Sequence, residues 1–176
     1  HVNADPSAAE LAEITVMAAE EMLRFGVQPK AALLSHSNFG SSELPSAQKM
    51  RRTLALLRQQ APWLEVDGEM HGDIALDGAA RQAQMPRSTL KGDANLLVLP
   101  NIDAANSCYN LTRVMTDGIG IGPVLMGMGK PAHVLTPGVL KYGMVGLRSY
   151  EPAIVATQQW YVGPGQQPEA VISGYD

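Results

Sequence analysis

Cysteine occurs once in the 176 residues, at Cys108, so no disulfide can form within the chain. This excludes the cross-linked framework of small secreted domains, and a reducing compartment, the cytoplasm, is the expected setting. Apolar runs are short. None approaches the roughly 18 residues that a membrane-spanning helix needs, and the first residues lack the basic start and apolar middle of a signal peptide. Neither charge sign is in large excess. A formal net charge of −4 offers no attraction for nucleic acid or an anionic membrane, so neither is an expected partner. Internal repeats and blocks of like charge are missing too. What is there, 45% hydrophobic residues in a chain of this length, suffices for one α/β domain with a sizeable core. The opening "HVNADP" reads as the end of a strand before a helix, the pattern of a piece cut from a longer polypeptide.

Ser7 before "AAELAEITVMAAEEMLRFG" predicts a helix cap, with Glu10 completing a capping box and Gly26 as the stop. Leu11, Ile14, Ala18, Met22 and Phe25 recur at helical spacing and mark the face expected to be buried. "KAALLSH" has the short continuous apolar run of a strand covered on both faces. "SAQKMRRTLALLRQQAP" reads as a second helix, with Met50, Leu54 and Leu57 inward and Lys49, Arg51, Arg52 and Arg58 largely around the other side. "WLEVDGEMHGD" reads as strand-like, "GAARQAQMP" as a short helix and "ANLLVLP" as a buried strand. "DAANSCYNLTRVM" reads as a helix capped at or near Asp103. Alternating strands and helices predict a layered α/β/α fold with a mainly parallel sheet. From Gly118 the chain is rich in Gly, Met and Pro, a texture suited to lining a cleft. The last stretch, "WYVGPGQQPEAVISGYD", reads as loop or loosely attached tail.

Three places invite chemistry. The turn "SHSNFGSS" can expose backbone N–H groups and hydroxyls where a helix dipole favours an anion, or its Ser41 and Ser42, with Ser46, can simply cap the next helix. It lacks the glycine and lysine pattern of a P-loop. In "DGEMHGD", Asp67, Glu69, His71 and Asp73 share one face if the segment is extended, as metal ligands would. Gly68 and Gly72 argue instead for a bend and a hydrogen-bonded polar turn. Lys130 and His133 in "GKPAH" can supply charge and a donor to a phosphorylated ligand, or be a surface lysine and a hydrogen-bonded histidine. Cys108 sits within a helical pattern and is expected to be a small buried hydrophobe. No Ser, His and Asp order with a nucleophile-elbow signature occurs.

Taken together, "VQPKAALLSHSNFGSS", "SAQKMRRTLALL", "LEVDGEMHGDIALD", "LKGDANLLVLPNIDAANSCYNL" and "GPVLMGMGKPAHVLTP" resemble the phosphotransacetylase family. More narrowly, they resemble the phosphotransacetylase-like C-terminal domain of large bacterial NADP-dependent malic enzymes. The resemblance runs from about residue 5 to 137 and fades after Pro137. It implies a two-lobed fold of the isocitrate/isopropylmalate dehydrogenase type, with residues 1–150 forming mainly the second lobe and 151–176 a C-terminal segment to which no structure is assigned.

Active members of the family transfer acetyl between coenzyme A and phosphate and share a Leu-Ser-Arg-Gly motif followed by an aspartate. Here the corresponding positions are Leu135, Thr136, Pro137 and Gly138, with Gly143 near the place of the aspartate. Transfer needs a cation on the phosphoryl oxygens and a base for the thiol, and neither proline nor glycine supplies one. The resemblance therefore implies a pocket without the reaction: acetyl-CoA bound as an allosteric effector by Ser35, Asn38, Ser41, Ser42, Lys130, His133 and Thr136. It also implies a homo-oligomer, with NADP and a divalent metal bound only in an N-terminal catalytic region of the same polypeptide. An active acetyltransferase and a pure assembly module are the alternatives.

Overall fold

The computed structural model describes residues 3–116, 126–127 and 154–156. Most of the Gly- and Met-rich stretch and the tail beyond 156, with Lys130, His133, Leu135, Thr136, Pro137, Gly138 and Gly143, lie outside the described residues. Helix α1 (Ala8–Arg24) leads to strand β1 (Lys30–Leu34), helix α2 (Pro45–Gln60) and strand β2 (Glu65–Met70). Two short helices follow, α3 (Gly72–Leu76) and α4 (Gly78–Gln84), then strand β3 (Leu96–Val98), helix α5 (Ile102–Met115) and strand β4 (Ile154–Ala156). The strands pair in parallel in the order β2-β1-β3-β4. The expected α/β layering is therefore present.

Helix α1 begins as its sequence predicts. Glu10 N donates to Ser7 Oγ at 3.3 Å and Ser7 N donates to Glu10 Oε2 at 2.7 Å. The bonds from the Ser7 side chain and backbone hold the Glu10 carboxyl below its ordinary value. A depressed folded-state value means that this contribution is complete above the unfolded pKa and fades as pH falls through the folded one. Ser7→Ala is expected to cost about 1 kcal/mol in urea denaturation at neutral pH. The difference from the parent should shrink in acid, because protonation of Glu10 removes its favourable interaction with the Ser7 side chain, which only the parent has.

The buried face of α1 is Leu11, Ala12, Thr15, Ala18, Ala19 and Met22; Ile14 is half-buried, and Phe25, past the helix end, is 55% exposed. Leu11, Ala12, Ala18, Ala19 and Met22 pack with Met50, Leu54 and Leu57 of α2 onto Ala31, Leu33, Val66, Leu96 and Val98 of the sheet. The opposite face buries Ala32, Leu34, Met70 and Leu97 beneath Ile74, Ala75 and Leu90. Alternate residues of β1 and β3 thus go to opposite layers, as a strand covered on both sides requires.

Three local expectations are corrected. Serines 41, 42 and 46 do not cap α2: its N-cap is Leu44, without a side-chain cap, and Pro45 at the first helical position has no N–H to satisfy. Helix α5 is capped by Asn101, whose Oδ1 accepts from Ala104 N at 2.9 Å, rather than by Asp103, which lies in the first turn. Cys108 is half-buried on a helix where Ala105 is the buried residue. No helix of the described residues is long and apolar enough to cross a membrane.

Candidate functional site

The loop after β1 is ordered by a carboxylate from the neighbouring strand. Parallel pairing matches Leu33 to Gly68 but Leu34 to Met70, so a bulge leaves Glu69 without a partner in register. That displaced side chain is fully buried. Its Oε1 accepts from Ser37 Oγ at 2.6 Å, Gly40 N at 2.9 Å and Arg51 Nη1 at 2.9 Å. Glu69 O accepts from Phe39 N at 2.7 Å, which further ties the turn to the strand. The anion that this serine-rich turn cradles is, in the folded chain, one of the protein's own carboxylates.

The remaining loop donors are used locally. Ser37 N donates to Ser35 Oγ, Asn38 N to Ser41 Oγ, and Ser42 N to Ser37 Oγ. Because the Ser37 hydroxyl proton goes to Glu69, the 3.1 Å contact between Ser37 and Ser41 has Ser41 as donor. Arg51 bridges outward, giving Nη1 to Ser42 O at 2.8 Å and Nη2 to Glu43 Oε2 at 3.1 Å. The sequence places Arg51 on the solvent side of α2. The fold draws it back over the loop, with its side chain 28% exposed, because the buried carboxylate needs a counter-ion. Lys49 turns inward in the same way, donating to Asp5 Oδ1 and Pro100 O. Next to the loop, Glu43, Gln48, Arg51, Arg52 and Ala55 line an open depression.

A second set of contacts closes the turn onto the end of β2. His71 N donates to Asn38 Oδ1 at 2.7 Å, and His71 Nε2 lies 2.8 Å from His36 O. A carbonyl only accepts, so the partners assign the proton to Nε2 and leave Nδ1 to accept from Asn38 Nδ2 at 3.1 Å. His36 Nε2 in turn sits 3.0 Å from Ser42 Oγ.

The one-face arrangement of Asp67, Glu69, His71 and Asp73 does not occur. The bulge breaks the alternation, and Asp73 is exposed in α3. Asp67 is engaged separately, accepting from Arg58 Nη2, Gly68 N, Ser88 Oγ and Thr89 N. Among the described residues no three His, Cys, Asp or Glu side chains are grouped to hold a metal ion.

Of the seven residues expected to bind ligand, Ser35, Asn38, Ser41 and Ser42 come together in this loop, while Lys130, His133 and Thr136 lie outside the described residues. In the hydrogen bonds of the described residues, the Ser35 hydroxyl proton and the second Asn38 amide hydrogen take no part. Sequence reasoning missed Glu69 and Arg51 as partners of the turn. The available signal was the unusual density of hydroxyl and amide donors in "SHSNFGSS", which needs an acceptor somewhere in the fold.

The loop also occupies a telling place in the sheet. From β1 the chain crosses to β2 on one side, while β3 and β4 extend the sheet on the other. The carboxyl ends of β1 and β3 therefore flank a topological switch point, where open α/β sheets form their ligand crevices. Ser35 follows one of these ends and Leu99 the other.

The comparisons agree with this architecture. The chain is 61% identical over 138 residues to the NADP-dependent malic enzyme of Escherichia coli, which covers 78% of this chain and 18% of that protein. It is 44% identical over 132 residues to the phosphate acetyltransferase of Paracoccus denitrificans, covering 74% of this chain and 42% of that one. The chain thus spans less than half of the length of either relative. Among solved structures, the EutD phosphotransacetylase from Staphylococcus aureus superposes with a TM-score of 0.66 at 34% identity, covering 70% of this chain and 39% of that chain. The sequence profile described as phosphate acetyl/butaryl transferase matches residues 1–149, most of the chain, which therefore belongs to the phosphate acetyl/butaryl transferase family.

Proposed function

We propose that this chain is a regulatory and oligomerising domain of an NADP-dependent malic enzyme, binding acetyl-CoA as an allosteric effector and performing no acetyl transfer itself. One observation carries the reading. The chain is 61% identical to a malic enzyme, while its sequence has Leu135-Thr136-Pro137-Gly138 where the active transferases it resembles have Leu-Ser-Arg-Gly. Proline provides no cation for a phosphoryl group and Gly143 no proton acceptor, so an acyl phosphate finds neither electrostatic stabilisation nor a base. Binding survives such losses more readily than chemistry, because it needs complementarity to the ligand and not to a transition state.

In this reading Ser35, Asn38, Ser41 and Ser42 bind the effector from this loop, and Lys130, His133 and Thr136 bind it as well. The switch-point position of the loop supports its part, and the unused Ser35 and Asn38 hydrogens supply donors. Leu111, Val114 and Met115, 63%, 81% and 81% exposed near the end of α5, support the assembly role, since apolar side chains at that exposure favour a subunit contact. NADP, the divalent metal and malate belong to the catalytic region of the polypeptide, and the cytoplasm is its compartment. A coupling of about 1–3 kcal/mol between effector and catalytic region is enough for a several-fold change in activity.

Two measurements on the purified chain test this. Calorimetry with acetyl-CoA is expected to give saturable heat, and a coupled assay for acetyl-CoA formation from acetyl phosphate and coenzyme A is expected to stay at background. Enzyme-like acyl exchange would make the chain a working transferase. Heat-silent mixing at high concentration would leave the assembly role alone.

A further inference from the structure

We propose that Ser42 is an acyl-acceptor site, with His36 as its base, that takes one acyl group from an activated acyl donor. This is separate from exchange between coenzyme A and phosphate and does not depend on acetyl-CoA binding. The pair is within proton-transfer distance, Ser42 Oγ lying 3.0 Å from His36 Nε2. Leu44 N donates to Ser42 Oγ at 3.2 Å and leaves the hydroxyl proton uncommitted, so with Nε2 unprotonated that proton points at the imidazole.

Both residues are held by backbone contacts that lead into the buried network. Ser42 N donates to Ser37 Oγ, which is anchored on Glu69, and Ser42 O accepts from Arg51 Nη1 at 2.8 Å. His36 O accepts from His71 Nε2 at 2.8 Å, with His71 anchored in turn on Asn38. A serine and a histidine fixed from opposite sides of one loop lose little entropy in meeting, which is the condition for a preorganised nucleophile. Electrostatics favour the same step. Ser42 stands two residues before the N-cap of α2, a 16-residue helix, where the dipole and the Leu44 amide stabilise negative charge developing on Oγ. His36 is exposed and Ser42 half-buried, so a small acyl donor can reach them.

The step balances without a further reactant. Ser42 Oγ adds to the acyl carbonyl carbon as its proton passes to His36 Nε2. The bond from that carbon to the leaving oxygen then breaks, the leaving group of an aryl ester departs with the electron pair as phenolate, and an ester remains on Ser42. His36 returns its proton to water.

The test uses the purified chain and p-nitrophenyl acetate, read by intact mass and peptide mapping. One acetyl group per chain on Ser42 is expected. Ser42→Ala should lose it, and His36→Gln should slow it by about a hundredfold or more, the usual loss on removing a general base. Label that persists in Ser42→Ala, that lands on lysines or on His36, or that forms at the parent rate in His36→Gln overturns the proposal. Should the alanine variant misfold, the comparison of parent and His36→Gln labelling rates still decides, since equal rates overturn the proposal.

Discussion

Gly68→Ala is expected to destabilise the chain by about 3–5 kcal/mol, combining overpacking with backbone strain. A Cβ built at Gly68 falls 2.8 Å from both Leu33 Cβ and Leu33 O. Leu33 is on β1, flanked by β2 and β3, and is fully buried, so neither strand can move aside without disturbing the other pairing. Gly68 also has φ +145°, a conformation that L side chains rarely adopt. Such a loss is a large part of the roughly 5–15 kcal/mol that holds a typical domain folded. Urea denaturation should show a strongly lowered midpoint. Gly26→Ala is the useful comparison, because φ is again positive, at +76°, but nothing lies within 4 Å, and only about 1 kcal/mol should be lost. Equal losses in the two variants would mean that the contact with Leu33 contributes nothing.

Arg81→Met is the second large effect, expected to cost about 3–4 kcal/mol through buried acceptors left short of donors. Arg81 is 1% exposed, and its guanidinium reaches four carbonyls: Ile74 O at 2.9 Å, Ala75 O and Leu90 O at 3.2 Å, and Gly92 O. No carboxylate pairs with it in the ion pairs of the described residues. The oxygens at the end of α3 and in the 90–92 segment do a counter-ion's work, each carrying partial negative charge. Methionine matches much of the volume and none of the bonding. Lysine should recover little, since one ammonium cannot span acceptors that a planar fork reaches together. The neighbouring packing agrees that this corner is tightly closed: a Cβ at Gly78 would lie 2.6 Å from Gly92 C. Chemical denaturation of the methionine and lysine variants checks the prediction. A methionine variant as stable as the parent would show that those carbonyls find water instead.

Both sites were invisible as sites in the sequence. Arg81 reads as one charge in the short helix "GAARQAQMP", and only the return of the 90–92 segment buries it. Gly68 reads as a bend in a polar turn, whereas it is a paired strand residue. By contrast, the capping box of α1, the apolar faces of α1 and α2 and the runs "KAALL" and "LLV" were legible, because each depends on residues within a few positions of one another. The candidate site was legible in half. Ser35, Asn38, Ser41 and Ser42 announce a hydrogen-bonded turn by composition. The carboxylate that organises them is 32 positions away from Ser37 and 29 from Gly40, and it enters the loop through a bulge.

What the sequence determined by itself was therefore local and cumulative: where the long helices run, which strands are covered on both faces, that the layers alternate, and, through several long motifs, the family. Tertiary structure alone decided which charges are buried and with whom. Glu69 needs Arg51, Ser37 and Gly40, and Arg81 needs four carbonyls, because an ionised group leaves water only where distant backbone and side chains converge to replace it. That convergence is a property of how the parallel crossovers stack, and no window of neighbouring residues contains it.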